Sequence, residues 1–138
     1  ERSDVAQAYH RRLTDPDPAV HMPAARAWGR YESACSVLLP NADGTAASLA
    51  LARIECHYFK NAMFMAENHL LDNLERVRHL PAVIVQGRYD VVCPIVTADE
   101  LAAAWSGAEF VVVPDAGHAA MEPGIRAALV AATERFKA

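Results

Sequence analysis

The sequence lacks an excess of basic residues and a long apolar run. Of its 138 residues, 13 are Lys or Arg and 17 are Asp or Glu, which gives a formal net charge of −4. This mildly acidic balance argues against nucleic acid as the main partner. Charged residues interrupt every long apolar stretch, so we expect no membrane-spanning helix. The apolar fraction of 53% is instead typical of a globular domain with a hydrophobic core.

The sequence also lacks paired cysteines and a targeting segment. Its three cysteines, Cys35, Cys56 and Cys93, are irregularly spaced and suit neither a disulfide framework nor a zinc site. We therefore expect reduced thiols and a cytoplasmic location. The chain opens with Glu1 and shows neither an initiator Met nor a signal peptide, so we expect further residues to precede it in the natural protein.

The first part of the chain has the apolar spacing of helices. Residues Val5, Tyr9 and Leu13 recur at intervals of four, as on one helix face. Asn and Gly in residues 40–44 indicate a loop, and Pro23 marks an early interruption of a helix. The pattern predicts four helices, over residues 5–13, 19–33, 46–59 and 65–76.

The second part alternates strand-like and helix-like segments. Residues 82–86 and 109–113 are short apolar runs, whereas 97–105 and 122–136 have helical patterns. Thr97 is the expected N-cap of the first of these helices, with Glu100 at the capping-box position. This order predicts an α/β fold with parallel strands buried on both faces. Two strands are too few for such a sheet, so we expect more strands outside this chain.

An acid and a histidine follow the two predicted strands. Asp90 and His118 lie 28 residues apart, one strand-helix-strand step. Because the carboxyl ends of parallel strands meet at one sheet edge, both side chains are expected there. A carboxylate at that edge can accept the imidazole Nδ1 proton and stabilise the imidazolium ion. Either residue alone also suits an ordinary turn or loop, but their combination favours a catalytic pair.

Several motifs together resemble the proline iminopeptidase family of α/β-hydrolases. They are Gly-Arg-Tyr-Asp-Val-Val-Cys-Pro at 87–94, Asp-Ala-Gly-His at 115–118 and Glu-Pro-Gly at 122–124. Residues 28–32 and 52–59 resemble motifs in the cap domain of the same family, so the resemblance covers nearly the whole chain. It implies a partial helical cap domain over residues 1–76. It implies the C-terminal part of the α/β-hydrolase catalytic domain over residues 77–138.

The resemblance also implies a role for each matching residue. The implied reaction is release of N-terminal proline from peptides by a serine exopeptidase that needs no metal or other cofactor. His118 would be the general base and later acid, and Asp90 the group that orients it. Glu32 and Glu55 would bind the free amine of the substrate, and Cys93 would line the proline pocket. Tyr31, just before Glu32, replaces the tryptophan that is usual in the family.

One departure concerns the nucleophile. The family uses a serine in a Gly-x-Ser-x-Gly elbow. The five serines of this chain all lie outside such a motif; they are Ser3, Ser33, Ser36, Ser48 and Ser106. We therefore expect a missing N-terminal part of the same enzyme to supply the nucleophile. This chain alone is expected to be inactive.

Two other functions remain open at this point. Another capped α/β-hydrolase, such as an esterase or an amino-acid amidase, would use the same acid and base. The glutamates discriminate, because an esterase would lose nothing on replacement of Glu55 by Gln. A non-catalytic binding module would use the former cap as a surface, although the retained Asp90 and His118 weigh against it.

Overall fold

The computed structural model describes residues 4–39 and 48–137, and these form two compact units. The first unit holds residues 4–33 and 48–67, and the second holds residues 34–39 and 68–137. The predicted loop at residues 40–44 lies outside the described residues. No helix of the described part is long and apolar enough to cross a membrane. The predicted division into a cap (1–76) and a catalytic part (77–138) stays a prediction.

Helices build the first unit: α1 (Val5–Leu13), most of α2 (Pro18–Ser36) and α3 (Leu49–Lys60). Side-chain caps start α1 and α3, because Asp4 accepts a hydrogen bond from the Gln7 amide and Ser48 accepts one from the Leu51 amide. The core is made of small or slender side chains, which allow the helices to pack closely: Leu13, Ala24, Ala25, Ala52 and Cys56.

A two-stranded parallel sheet forms the centre of the second unit. Strand β1 (Ala82–Gly87) pairs with β2 (Ala108–Val113) in register from Ala82 opposite Ala108 to Gly87 opposite Val113. Helices α5 (Ile95–Ala104) and α6 (Pro123–Arg135) follow the strands. Ile125 of α6 packs on Val113 and Ala116. The predicted order of strand, helix, strand and helix is confirmed, as is the parallel pairing.

Three predicted helix features are wrong. Helix α2 continues through Pro23. A proline in the second turn removes a single backbone hydrogen bond, and the other turns keep theirs. The predicted helix 65–76 is only the short α4 (His69–Asp72) followed by a 3₁₀ turn (Leu74–Arg76). Asn68 adopts a left-handed conformation with φ of 58°, which asparagine tolerates better than most residues and which prevents a helix from starting earlier.

The third correction concerns the start of α5. This helix begins at Ile95, with Pro94 as the preceding cap residue, so Thr97 is not the N-cap. The Thr97 hydroxyl instead donates a hydrogen bond of 2.6 Å to the Pro94 carbonyl from inside the first turn. Pro94 thus takes the cap position three residues before Thr97, which the Thr-x-x-Glu pattern predicts as the cap.

Candidate active site

Asp90 and His118 form a hydrogen-bonded pair in the second unit. Nδ1 of His118 lies 3.0 Å from Oδ2 of Asp90. The carboxylate is largely buried, with 6% of its side chain exposed, whereas the imidazole is 39% exposed. An ionised carboxylate only accepts hydrogen bonds, so Nδ1 carries the proton in this contact. The other ring nitrogen, Nε2, is then the basic atom of the neutral ring.

Backbone hydrogen bonds between the loops after β1 and β2 bring these two residues together. The Arg88 amide donates to the Val113 carbonyl at 2.9 Å, and the Tyr89 amide donates to the Ala116 carbonyl at 3.0 Å. Gly87 permits this approach, since a Cβ at that position would lie 1.9 Å from the Gly117 carbonyl oxygen. The parallel pairing therefore extends beyond the strands into the loops that carry the site.

Four donors converge on the Asp90 carboxylate. Oδ1 accepts hydrogen bonds from the backbone amides of Val92 (2.9 Å) and Cys93 (2.8 Å). Oδ2 accepts one from Nε2 of Gln86 (3.2 Å) in addition to the one from His118. Two oxygens with two donors each leave the carboxylate little freedom to rotate. The acid is thus held in one orientation towards the histidine.

Glu122 and Ser36 hold the loop that carries His118. Oε1 of Glu122 accepts a hydrogen bond of 2.8 Å from the Gly117 amide, and Oε2 accepts one of 3.3 Å from the Leu38 amide. The Ser36 carbonyl accepts hydrogen bonds from the amides of His118 (2.9 Å) and Ala119 (2.7 Å). The backbone on both sides of His118 is therefore fixed by partners outside the loop.

Cys93 contacts the same carboxylate through its backbone. As a residue it is exposed, but partial burial of its thiol and the nearby negative charge of Asp90 raise the pKa of this cysteine. A thiol whose pKa is raised is a poor nucleophile near neutral pH. Cys93 is therefore poorly suited to act as a nucleophile, and its place in a proline pocket stays a prediction.

Glu55 and Glu32 line one small recess in the first unit. Its volume is about 50 Å³, and Trp28 and Leu51 also contribute to its wall. The indole nitrogen of Trp28 donates a hydrogen bond of 2.7 Å to Oε2 of Glu55. Trp28 itself contacts the rings of Tyr9 and Phe59, whose centroids lie 5.2 Å and 6.0 Å from that of Trp28. The aromatic packing thus fixes the donor that orients the Glu55 carboxylate.

The acid–histidine pair and the glutamate-lined recess are suited to different chemistry. The Asp90–His118 pair can accept and return a proton at Nε2 of the ring. The recess with Glu32 and Glu55 offers two carboxylates, which suit an ammonium group. Within residues 4–39 and 48–137, no cluster of three His, Cys, Asp or Glu side chains is suited to a metal ion.

The sequence interpretation missed three residues that support these sites: Gln86, Trp28 and Glu122. Gln86 ends the apolar run of residues 82–86. A polar residue at the end of a buried strand indicates a specific hydrogen-bonding role. Trp28 and Glu122 were recognised only as parts of motifs. Their hydrogen bonds join segments 27 and 84 residues apart, a separation that local spacing does not reveal.

Mixed helices and strands, with polar groups at the strand ends, are typical of an α/β-type enzyme domain. A family model described as "TAP-like protein", of the abhydrolase type, matches residues 46–136. The chain therefore belongs to this abhydrolase family.

Curated relatives cover the whole of this chain. The proline iminopeptidase of Arabidopsis thaliana is 48% identical over 143 residues, which span 99% of this chain and 38% of the relative. The probable proline iminopeptidase of Leptolyngbya boryana is 49% identical over 100% of this chain and 45% of its own length. The proline iminopeptidase of Xylella fastidiosa (strain 9a5c) is 46% identical over 99% and 46%. The chain thus spans less than half the length of these relatives and matches their C-terminal portion.

Proposed function

We propose that this chain is the acid–base and amine-binding part of a serine aminopeptidase that releases N-terminal proline. The observation that carries the proposal is the 3.0 Å contact between Nδ1 of His118 and Oδ2 of Asp90. The names of the relatives suggest which reaction this pair serves, because these proteins are called proline iminopeptidases or a probable one.

In the proposed mechanism, a serine outside this chain attacks the carbonyl carbon of the N-terminal proline. Nε2 of His118 accepts the hydroxyl proton and then gives it to the leaving amine, which produces an acyl-enzyme. A water molecule attacks the acyl-enzyme with His118 again as base, and proline is released. Asp90 keeps the ring in the Nδ1–H tautomer and stabilises the imidazolium ion. Without the serine, the isolated chain has no peptidase activity.

We assign substrate selection to the two glutamates of the first unit. This unit would act as the cap. With Oε2 of Glu55 held by Trp28, the carboxylate has a defined orientation for a charge-assisted hydrogen bond to the prolyl amine. Glu32, on the same recess, supplies a second negative charge. A substrate with an acylated amine would leave these carboxylates unpaired, at a cost of about 1–3 kcal/mol. The enzyme would therefore require a free N-terminus.

The test uses a hybrid enzyme, in which this chain replaces the matching C-terminal segment of the Leptolyngbya boryana relative. Glu55→Gln keeps the shape of the side chain but removes its charge. A charge-assisted hydrogen bond contributes about 1.5–3 kcal/mol, so kcat/KM for a prolyl arylamide should fall roughly tenfold to a hundredfold. Steady-state hydrolysis of the arylamide measures this loss.

Glu67→Gln is the matched control, because Glu67 is an exposed carboxylate of the same unit. It should leave kcat/KM unchanged. Equal cleavage of the free and N-acetylated arylamides by the parent hybrid would reject amine recognition. Cleavage of simple esters only, with no effect of Glu55→Gln, would assign the chain to an esterase instead.

A further inference from the structure

Gln86 occupies an unusual position for a polar side chain. It is the fifth residue of β1, it lies opposite Val112, and it is only 8% exposed. Among the described residues it is the one polar residue that is buried as a whole, side chain and backbone together. A buried amide must find hydrogen-bond partners, because an unpaired polar group away from water costs free energy. An apolar residue would fill the same space without that requirement.

The partners of Gln86 are all acceptors. Its Nε2 lies 3.0 Å from the Cys93 carbonyl oxygen, 3.2 Å from Oδ2 of Asp90 and 3.3 Å from the Gly87 carbonyl oxygen. Only a donor satisfies this set, and the NH₂ group of an amide has two hydrogens to share among them. A carboxylate of the same shape would face three acceptors and repel them.

These contacts determine the orientation of Asp90. Backbone amides hold Oδ1, and Gln86 shares Oδ2 with His118. The hydrogen bond to the Cys93 carbonyl also ties the far end of the 90–93 loop to the strand. Loss of the Gln86 donor would release both the second oxygen and the loop. Asp90 would then meet Nδ1 of His118 in only part of the molecules.

We infer that Gln86 is a positioning residue, which holds the Asp90 carboxylate in the orientation that fixes the tautomer of His118. Its effect on catalysis rests on the proposed function, but its effect on the histidine does not. Gln86 would touch no reacting atom and would act through the Asp90 carboxylate and the 90–93 loop that carries it.

The test measures the ¹⁵N chemical shifts of the two ring nitrogens of His118 by NMR in the full 138-residue chain. These shifts report which nitrogen carries the proton. The parent chain should show predominantly the Nδ1–H tautomer in the neutral ring. Gln86→Met, of similar volume but without a donor, should produce a mixture of tautomers. Gln86→Glu, which has the same shape but inverted hydrogen-bonding character, should do so at least as strongly.

Ile125→Val is the control for general destabilisation, since Ile125 is buried in the same unit and has no polar atom. It should leave the tautomer as in the parent chain. The inference is overturned if the Gln86 variants match Ile125→Val. Should they fail to fold, the parent chain itself decides the question. Slow hydrogen exchange of the Gln86 side-chain amide supports the inference, and exchange as fast as that of exposed Gln or Asn amides rejects it.

Activity separates this inference from the proposed function. In the hybrid enzyme, Gln86→Met should lower kcat for the prolyl arylamide about tenfold with little change in KM, because supporting residues act on the chemical step. A tautomer shift in a hybrid that cleaves no arylamide would sustain the positioning role and reject the proposed function. An active hybrid in which Gln86→Met changes neither kcat nor the tautomer would sustain the function and reject the positioning role.

Discussion

At the scale of single residues, Asp90 affects two neighbours in opposite ways. Its Oδ2 accepts a hydrogen bond from Nδ1–H of His118, which leaves Nε2 as the basic atom of the ring. Its charge contributes to the raised pKa of Cys93, which makes that thiol a weaker nucleophile. Partial burial is the larger cause of the raised pKa, and the charge of Asp90 adds to it. One carboxylate thus favours the histidine as the reactive group of this site and disfavours the thiol.

Alkylation of Cys93 by iodoacetamide should therefore depend on Asp90. A raised pKa means less thiolate at pH 8 than an ordinary cysteine has, so the rate should be low there and rise at more alkaline pH. Asp90→Asn removes the charge, lowers the pKa of the thiol and should speed alkylation at pH 8 by a few-fold. Peptide mapping by mass spectrometry after timed exposure measures the rate at this cysteine.

Asp115→Asn provides the comparison, because it removes one negative charge from the same unit. It should leave the rate at Cys93 unchanged. An equal or slower rate in Asp90→Asn would mean that the carboxylate does not control this thiol. Cys56, buried in the helical core with its thiol donating to the Ala6 carbonyl, should stay unmodified in the folded protein.

At the scale of elements, the close approach of the end of β1 to the loop after β2 sets the distance between acid and base. A Cβ at Gly87 would meet backbone oxygens of Gly117 at 1.9 Å and of Ala116 at 2.8 Å. Neither oxygen can move as the tip of a flexible side chain would. Gly87→Ala must therefore separate the two loops.

We expect Gly87→Ala to lower the free energy of unfolding by about 1–3 kcal/mol, the usual cost of overpacking. Urea denaturation followed by circular dichroism measures the loss. Gly107→Ala is the matched control, because a Cβ there meets nothing within 4 Å. Equal stability of the two variants would contradict the close contact between the strand end and the loop.

Local patterns predicted most of the elements. The apolar runs marked both strands, and helices α1, α3 and α6 lie close to where spacing and proline placed them. The helix predicted over 65–76 was wrong because apolar periodicity does not report backbone handedness, and Asn68 takes a left-handed conformation. The start of α5 was wrong because Pro94 is the residue before the helix, and a Thr-x-x-Glu pattern can also lie inside a first turn.

The site was predicted only in part, for a related reason. The spacing of Asp90 and His118 indicated their contact because both follow adjacent parallel strands. The hydrogen bonds from Gln86 and Trp28, and those that Glu122 accepts, depend on tertiary packing, which no periodicity in one sequence encodes. Motifs thus pointed to the candidate acid and base, and the structure identified the groups that hold them.

At the scale of the whole molecule, the described residues contain two strands, and the chain spans 38–46% of the length of the three relatives compared. All five serines lie outside an elbow motif. The central claim is that Asp90 and His118 serve a serine that a different part of the enzyme supplies. The isolated chain should then fold its acid–base pair and yet hydrolyse no prolyl arylamide.

The most direct measurement compares kcat for a prolyl arylamide in the hybrid enzyme with and without Asp90→Asn. The account predicts that the hybrid is active and that Asp90→Asn lowers kcat by about four orders of magnitude, as loss of a triad acid does elsewhere. Asp115→Asn, the nearby charge control, should leave kcat unchanged. A folded hybrid that stays active with Asn at position 90, or an isolated chain that is active by itself, would contradict the account.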